Sequence, residues 1–420
     1  MLQLPLSPVV VWPIALLSTA CVLIRPFRLP EAWWAVLGAL LLLLTGQIGL
    51  AELGRAVGKG TDVYLFLIGM MLVAEMARTT GLFDWIAAHA VRKAKGSSRR
   101  LFCIVYAVGI VVTTFMSNDA TAVVMTPAVL AAARAARLEH PLPHLFACAL
   151  IANAASFVLP VSNPANLVVF ASHMPALLDW FRLFLLPSAI AIVVTFAALY
   201  WTQREALKDR LSEEVKVPEL SGEAKLVACG IGLLAALLLG ASALGIDLGW
   251  PSFVAGFATF AAVLLRARRL ALTAAREMSW SVLPLVAGLF VLVAALDKIG
   301  VAAALARLLA QLQATAPQWS VWGAGIATAL VSNIANNLPA GLIAGATVAA
   351  SHAAQHVAAA TLIGIDLGPN LSVTGSLATV LWLTVLRREG IEVSFLQFLK
   401  VGAIVMPLAL LPCLYVLSLG

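Results

Sequence analysis

The sequence predicts an all-α integral membrane protein with about ten transmembrane helices. These form two inverted-topology repeats, each with a re-entrant hairpin and a discontinuous helix. Composition is the first of three observations behind this prediction: of 420 residues, 62% are hydrophobic and 11% are charged, whereas soluble domains have about 45 to 50% apolar and about 25% charged residues. Together with a mean hydropathy of +0.99, this is typical of a chain that crosses lipid many times. We therefore expect a lipid bilayer around the protein, and composition excludes a soluble enzyme or a nucleic-acid-binding module.

Long apolar stretches are the second observation, because a spanning helix needs about 20 mostly apolar residues. Eight stretches are uninterrupted: 8–24, 31–50, 61–78, 182–201, 224–244, 250–266, 279–297 and 395–418. Four more are broken in the middle by polar, Gly or Pro residues: 101–136, 143–172, 318–352 and 356–386. We interpret the first and third of these four as re-entrant hairpins, and the second and fourth as discontinuous crossing helices. The chain then crosses the membrane ten times.

The distribution of basic residues predicts the orientation. With ten crossings, the loops on one side hold 20 of the 27 Lys and Arg residues, and the loops on the other side hold five. Because basic loops stay in the cytoplasm, the first side is predicted to be cytoplasmic and both termini to face the periplasm or exterior. A twelve-span topology would remove this charge asymmetry. The predicted location is the cell inner (plasma) membrane.

An internal repeat is the third observation. The two halves share the order uninterrupted span, Trp-led span, third span, amphipathic stretch, broken hairpin, broken helix and final span. Corresponding residues recur at offsets of 212 to 219: Trp34 and Trp250, Gly81 and Gly300, Asn118-Asp119 and Asn336-Asn337, and Ser162 and Thr374. Five crossings in each half invert the second copy, and inverted repeats with discontinuous helices are the architecture of secondary transporters. The predicted domains are an N-terminal repeat (1–201), a cytoplasmic linker (202–223) and a C-terminal repeat (224–420).

Polar residues cluster at the four breaks. Non-helical backbone at membrane depth is tolerated only where it lines protein or a watery cavity, so the breaks predict a shared cavity. Each half-helix there begins with free N–H groups and about +0.5 of an elementary charge. The predicted substrate-binding residues are hydrogen-bonding side chains at these breaks: Ser117, Asn118, Thr121, Ser162, Asn163, Asn166, Asn336, Asn337, Asn370, Ser372, Thr374 and Ser376. The alternative is that they only cap helix ends, as Ser and Asn commonly do.

Two acidic residues, Asp119 and Asp366, lie at the same breaks. An ionised Asp at bilayer depth costs roughly 2.5 to 3.5 kcal/mol on insertion scales. Their presence therefore predicts proton coupling, in which a carboxyl group exchanges its proton for substrate, with Asp119 as the preferred carrier. Glu75 and Arg78 are spaced to satisfy one another on a helix.

No metal site and no cofactor are predicted. The five cysteines lie far apart without a CxxC pair, which argues against zinc. The sequence also lacks the G-x-x-x-x-G-K-[ST] nucleotide motif. Any coupling to ATP would therefore require a partner.

The broken stretches resemble the arsenite efflux permeases, ArsB type, of the wider ion transporter superfamily. The closest segments are Ser117–Pro127, Leu159–Leu167, Asn336–Ala340, Ile363–Asn370 and Gly375–Trp382. The chain departs from that family at Pro164, where the family often has Leu, and at Asn370, where it often has Lys.

The resemblance implies export of trivalent arsenite and antimonite in exchange for protons, with an elevator-like motion of the hairpins and broken helices. For some members it implies a soluble ATPase partner. A homodimer is a further predicted assembly. Uncharged arsenous acid suits a cage of Asn, Ser and Thr. The competing interpretations are a sodium/proton antiporter and a carrier of dicarboxylates or other anions from the same superfamily. Outside transporters, the alternative is a channel-like or purely structural membrane component.

Overall fold

The computed structural model describes residues 7–170, 174–211 and 218–419, and the regular structure within these ranges is helical. The helices of the first half are α1 (Pro8–Ile24), α2 (Glu31–Leu44), α3 (Leu50–Gly58), α4 (Thr61–Thr79), α5 (Leu82–Ala94), α6 (Ser98–Phe115), α7 (Asn118–Ala120), α8 (Thr126–Ala135), α9 (Leu142–Ala154), α10 (Pro164–Val169) and α11 (Leu177–Gln203). Those of the second half are α12 (Gly222–Ala243), α13 (Gly249–Arg266), α14 (Arg268–Glu277), α15 (Val282–Lys298), α16 (Val301–Thr315), α17 (Pro317–Ala335), α18 (Asn337–Ser351), α19 (Gln355–Leu367), α20 (Leu377–Arg388) and α21 (Phe395–Ser418). A π-helical turn joins α7 to α8. Four predicted segments extend outside the described residues: the repeat 1–201 at 1–6 and 171–173, the stretch 143–172 at 171 and 172, the linker 202–223 at 212–217, and the repeat 224–420 at 420.

Length and hydropathy confirm the membrane class. Among the described helices, α6, α11, α12, α13, α21 and the continuous pair α14–α15 are long and apolar enough to span a bilayer. The pair α3–α4, bent by 48° at its break, would be a seventh such span. The apolar helices α1 and α2 are shorter, with 17 and 14 residues. The all-α membrane fold is therefore confirmed.

The order of helices repeats between the halves. α1 to α6 correspond in order to α12 to α17, the unit α7–α8 corresponds to α18, and α9 to α11 correspond to α19 to α21. Gly81 and Gly300 cap the N-termini of α5 and α16 with left-handed φ angles of 76° and 86°, a conformation that glycine adopts without steric cost. The same turn therefore recurs 219 residues later. The division into two domains stays a prediction.

Contacts between loops define one face of the molecule. Arg134 pairs with Glu389 at 2.7 Å, and Arg78 pairs with Glu277. His140 lies 3.0 Å from Asp209, and residue 97 forms an isolated bridge with residue 210. Both ends of the first hairpin, near residues 97 and 134–140, therefore lie on the same face. This is the face that carries most of the basic residues.

Other contacts define the opposite face. Lys298 donates to Glu52 at 2.8 Å, and the Gly249 N–H donates to Asp62 at 2.6 Å. The Ala354 N–H donates to the Gln313 side chain at 3.0 Å, so both ends of the second hairpin lie on this face. Each hairpin is re-entrant. With each broken helix counted as one crossing, the chain crosses ten times.

Two helices were missed by the sequence interpretation. The predicted span 31–50 ends at Leu44 and is followed by α3, and the predicted loop 266–278 contains α14. Both are short, and their apolar residues occupy one side. Because such helices lie along a surface rather than across lipid, hydropathy over a 20-residue window does not reveal them. They occupy equivalent positions in the two halves.

The two repeats meet where helices cross at small residues. α4 packs on α13 and α2 packs on α15, which are equivalent pairs with the repeats exchanged. A Cβ atom at Gly69 would lie 2.1 Å from the Ser252 carbonyl oxygen, and one at Gly288 would lie 2.6 Å from the Ala35 carbonyl carbon. Small residues at such crossings let backbones approach closely. The absence of a side chain at these positions therefore fixes the inter-repeat distance.

We expect Gly69→Ala to destabilise the protein, because its methyl group would clash with the α13 backbone rather than with a movable side chain. Overpacking of this kind costs about 1 to 3 kcal/mol. The measurement is the melting temperature in detergent, followed by size-exclusion chromatography. Gly240→Ala is the matched control, since no atom lies within 4 Å of a Cβ there. Equal melting temperatures for the two variants would contradict the close crossing.

Candidate functional site

The tips of both hairpins have the same strained backbone. Ser117 and Asn336 have φ angles of 142° and 70°, which cost non-glycine residues about 1 to 3 kcal/mol each and tend to cluster at functional sites. Each residue caps the helix that follows: the Ala120 N–H donates to Ser117 Oγ at 3.2 Å, and the Leu338 N–H donates to Asn336 Oδ1 at 3.3 Å. The strain is thus set at the point where each hairpin turns.

These caps shift the alignment of the repeats by one residue. The sequence alignment pairs Asn118-Asp119 with Asn336-Asn337, whereas the caps pair Ser117 with Asn336, 219 residues apart. This is the spacing of the repeated glycine turns. In this register the counterpart of Asp119 is Leu338. The acidic group therefore belongs to one hairpin only.

The first broken helix is held open by its own side chains. Ser162 Oγ donates to the Thr114 carbonyl at 2.9 Å and accepts from the Leu159 N–H at 3.2 Å. Asn166 Nδ2 donates to the carbonyls of Ser156 and Leu159 at 2.9 and 3.2 Å. The backbone groups freed between α9 and α10 thereby gain partners without water.

The second broken helix is tied to the second hairpin through Asn333. Its Nδ2 donates to the Gly368 carbonyl at 2.9 Å, and its Oδ1 accepts from Ser372 Oγ at 2.7 Å. Thr374 Oγ1 donates to the Asn333 carbonyl at 3.0 Å. Asn336 Nδ2 reaches the Thr374 carbonyl at 3.3 Å. The hairpin tip and the break between α19 and α20 therefore form one unit.

A buried network joins the two broken helices to each other. Asp366 is fully buried, and its two oxygens accept from Asn163 Nδ2 at 2.8 Å and Ser156 Oγ at 2.7 Å. Asn153 Nδ2 donates to Asn370 Oδ1 at 3.0 Å, and Ser376 Oγ donates to Asn153 Oδ1 at 3.2 Å. These hydrogen bonds connect residues more than 200 positions apart. We refer to the six residues Asn153, Ser156, Asn163, Asp366, Asn370 and Ser376 as the inter-repeat brace.

Sequence reasoning missed Asn153 and Ser156 of this brace as site residues. Asn153 and Ser156 lie at the end of the apolar helix α9, before the motif that marks the break. Asn153 was detectable as an intramembrane amide, because such residues in an apolar helix usually face the protein interior. Its partner Asn370 could not be identified from spacing.

A cavity lies where the two hairpin tips meet the first broken helix. Four predicted site residues line it: Asp119, Asn163, Asn336 and Asn337. Its other walls are largely apolar and come from α4, α15 and α20, including Leu67, Leu285 and Leu377. We call it the central cavity. Its polar groups converge from three of the four breaks.

Asp119 differs from Asp366 in its surroundings. Asp119 is half-buried and lines the central cavity, and no described side chain or backbone group donates a hydrogen bond to its carboxyl oxygens. Both oxygens of Asp366 are already occupied inside the brace. Glu31 also lines the central cavity, but it is paired with Arg25. Among the described residues of the lining, Asp119 therefore offers the carboxyl group that is free to bind a ligand or a proton.

The remaining predicted residues lie around the cavity rather than on its wall. Ser117 lines the adjoining cavity described next. Asn118 Oδ1 accepts from the Asp119 N–H at 2.8 Å, and Thr121 Oγ1 lies 2.8 Å from Thr113 Oγ1. The others form the hydrogen bonds of the breaks and the brace: Ser162, Asn166, Asn370, Ser372, Thr374 and Ser376. The structure thus divides the predicted set into a cavity group and a bracing group.

Two further cavities connect the central cavity to one face. The antechamber shares Asp119, Leu67, Val282 and Leu377 with the central cavity. It shares Glu75, Ser279 and Leu381 with the vestibule, a more polar space. The vestibule is lined by Arg78, Arg134, Arg388 and nearby acidic residues. A row of three adjoining cavities therefore lies between Asp119 and the face that carries most of the basic residues.

Comparison with known proteins identifies the family. The model of the citrate transporter family (CitMHS) matches residues 16–365. The putative arsenical pump membrane protein of Bacillus subtilis (strain 168) is 26% identical over 427 residues, covering 93% of this chain and 95% of that protein. The arsenical pump membrane protein of Escherichia coli (strain K12) is 27% identical over 421 residues, covering 96% of each. The resemblance to arsenite permeases is therefore confirmed, and the chain is a transporter rather than an enzyme.

A solved structure has a similar fold. The crystal structure of the Alcanivorax borkumensis YdaH transporter, described as having an unusual topology, matches with a TM-score of 0.57 and 16% sequence identity. The match covers 87% of this chain and 86% of that one. At this identity the likeness concerns the fold alone.

We expect Asp366→Leu to destabilise the protein, because Asn163 Nδ2 would lose its buried acceptor. Each unsatisfied buried donor costs about 1 to 3 kcal/mol. Asp366→Asn keeps one acceptor oxygen and should lose less. Asp119→Asn is the control, since the Asp119 carboxyl oxygens accept no hydrogen bond from the described residues. Melting in detergent ranks the three variants, and an equally stable Asp366→Leu would contradict the brace.

Proposed function

The chain belongs to the citrate transporter family, and we propose that it is a secondary transporter that exports trivalent arsenite and antimonite from the cytoplasm in exchange for protons. The observation that carries the proposal is the central cavity, where one free carboxyl group, Asp119, faces three amides, Asn163, Asn336 and Asn337. Relatives named as arsenical pump membrane proteins, aligned over almost the whole chain, support the choice of substrate.

The chemistry of the cavity suits an uncharged trihydroxide. Arsenous acid is mostly neutral at physiological pH, and each of its three hydroxyl groups both donates and accepts hydrogen bonds. An amide side chain offers two donors and a carbonyl oxygen with two lone pairs. Asn163 and Asn336 each use one donor and one lone pair in protein hydrogen bonds, so each keeps one of both for a hydroxyl group. A citrate anion would need positive partners, and the described lining of the cavity contains no Lys or Arg. Charge therefore favours the metalloid over a di- or tricarboxylate.

Proton coupling is assigned to Asp119. A neutral substrate does not respond to the membrane potential, so uphill export needs a coupled charge. One proton moving inward gains about 2.3 kcal/mol per 100 mV. We propose that a proton on Asp119 and a bound metalloid compete for the central cavity, so that proton entry from outside drives release there. Asp366 supports this site by holding Asn163 in position.

The proposed orientation follows from the charged loops. The vestibule opens among Arg78, Arg134 and Arg388, and basic loops remain in the cytoplasm. In this proposed orientation both termini face the periplasm or exterior of the inner membrane, and the vestibule lies on the cytoplasmic side. A soluble ATPase partner and a homodimer stay predictions.

The test is metalloid transport in everted vesicles, whose interior corresponds to the outside of the cell. When the vesicle interior is more acidic than the medium, we expect arsenite to accumulate inside. We expect a protonophore to abolish this accumulation. A parallel assay with labelled sodium examines the main alternative. Sodium movement without arsenite uptake would reject metalloid export and indicate that the same carboxyl group binds a cation.

We expect Asp119→Asn to abolish uphill accumulation of arsenite, because the amide cannot exchange a proton at this site. The protein should reach the membrane in normal amounts. The measurement is the accumulation ratio in everted vesicles at matched protein levels. Asp84→Asn makes the same change in the vestibule and should accumulate arsenite like the wild type. If Asp119→Asn still builds a gradient at the wild-type rate, a different acid carries the proton.

A further inference from the structure

The antechamber contains an unusual share of the methionines of the chain. Three of nine line it: Met70 and Met71 from α4, and Met278 just before α15. Met70 and Met278 are buried, and Met71 is half-buried. The rest of its wall is mainly apolar, with Phe66 and Leu381 among the lining residues. These three side chains line the cavity that lies between the vestibule and the central cavity.

Packing alone does not require sulfur here. Leu occupies neighbouring positions of the same wall at Leu67 and Leu381, and Leu and Met exchange in cores at a cost of usually less than about 1.5 kcal/mol. On α4, the close contact with the α13 backbone is made at Gly69. Met70 and Met71 follow immediately and line the transport path instead. Both side chains therefore belong to the lining that a ligand in the antechamber would contact.

The chemistry of a thioether fits a soft, uncharged solute. Met sulfur is polarizable and a weak hydrogen-bond acceptor, and thioethers belong to the soft ligands that select soft metals. Trivalent arsenic and antimony are soft Lewis acids, and antimony is the more polarizable. A thiolate would hold them tightly, but the described linings of the antechamber and central cavity include no cysteine. A thioether contact is weak enough to be released.

The same wall discriminates against ions. A hydrated cation or anion that enters a narrow apolar passage loses water contacts, and an isolated charge transferred to low dielectric carries a large penalty. Polar groups of the antechamber lie at its two ends, with Glu75 and Ser279 towards the vestibule and Ser117 and Asp119 towards the central cavity. Between them the lining offers sulfur and hydrocarbon. Neutral metalloid hydroxides have a smaller desolvation cost.

We propose that Met70, Met71 and Met278 are specificity-determining residues, which contact an uncharged, soft metalloid hydroxide through thioether sulfur on its way to Asp119. This inference rests on the proposed function, and it adds the chemical basis of selection to it. Asp119 and the amides bind the hydroxyl groups, whereas the methionines select the central atom.

The test replaces all three methionines by leucine, which keeps size and apolarity and removes sulfur. In proteoliposomes the Met70→Leu/Met71→Leu/Met278→Leu variant should raise the KM for antimonite by about threefold or more, a size typical of weak sulfur contacts. The KM for arsenite should rise less, and kcat should stay unchanged. Met76→Leu is the matched control: it is a fully buried methionine of the same helix α4 that does not line the antechamber.

X-ray absorption at the antimony edge gives a readout that a packing role would not change. Antimonite bound to the wild type should show a sulfur neighbour that is lost in the triple variant and kept in Met76→Leu. If the triple variant does not fold, Met71→Leu alone, at the half-buried position, should show a smaller rise in KM and a weaker sulfur signal.

Two results separate the inference from the proposed function. Unchanged KM values with only oxygen neighbours around antimony would overturn the role of the methionines while leaving metalloid export intact. A wild-type protein that neither transports nor binds antimonite would overturn both. A lower melting temperature with a reduced kcat and an unchanged KM would assign the methionines to packing and reject selection.

Discussion

Every peptide N–H and C=O group inside the hydrocarbon layer needs a partner within the protein, and this chain interrupts its helices at four places in that layer. Each interruption is therefore built from side chains that replace the lost helical hydrogen bonds. Ser162 and Asn166 do so at the first broken helix, and Asn333 at the second. Because these side chains must be buried to act, the breaks are drawn to the interior, where both repeats meet. The location of the cavity follows from this requirement.

The two repeats share a scaffold but not their chemistry. The glycine turns, the hairpin caps and the helix order recur, whereas Asp119 has an apolar counterpart in Leu338. Asp366 belongs to the second repeat and is buried within the brace. One acid is thus exposed to the cavity and the other holds the broken helices together. The two inverted repeats can therefore share one scaffold although only one hairpin carries the titratable group.

Features that depend on local sequence could be predicted, and features that depend on contacts between distant residues could not. Hydropathy and the positions of the polar interruptions predicted ten crossings, both re-entrant hairpins and both broken helices. The short helices α3 and α14 were missed because they do not cross lipid. The hairpin register was one residue off, since it is fixed by the φ angles of Ser117 and Asn336, which composition does not encode. The different surroundings of Asp119 and Asp366 could not be predicted either. They depend on the Asn163–Asp366 hydrogen bond, which joins residues 203 positions apart.

The two repeats pack differently around the central cavity. This difference explains how one cavity could be reached in turn from each face of the membrane. In the first repeat the antechamber, with Met70, Met71 and Ala120 in its wall, lies between α4 and the hairpin tip. In the second repeat the equivalent helix α15 packs against α18, and α10 lies so close to α18 that a Cβ at Gly345 would be 2.8 Å from the Val168 carbonyl oxygen. The vestibule separates α8 from α20 in part, whereas the repeat-related helices α18 and α10 are closely packed. Exchange of these two arrangements between the repeats would close the path through the methionines and open the opposite face. Alternating access then needs no new contact type, because each repeat already contains the packing that the other would adopt.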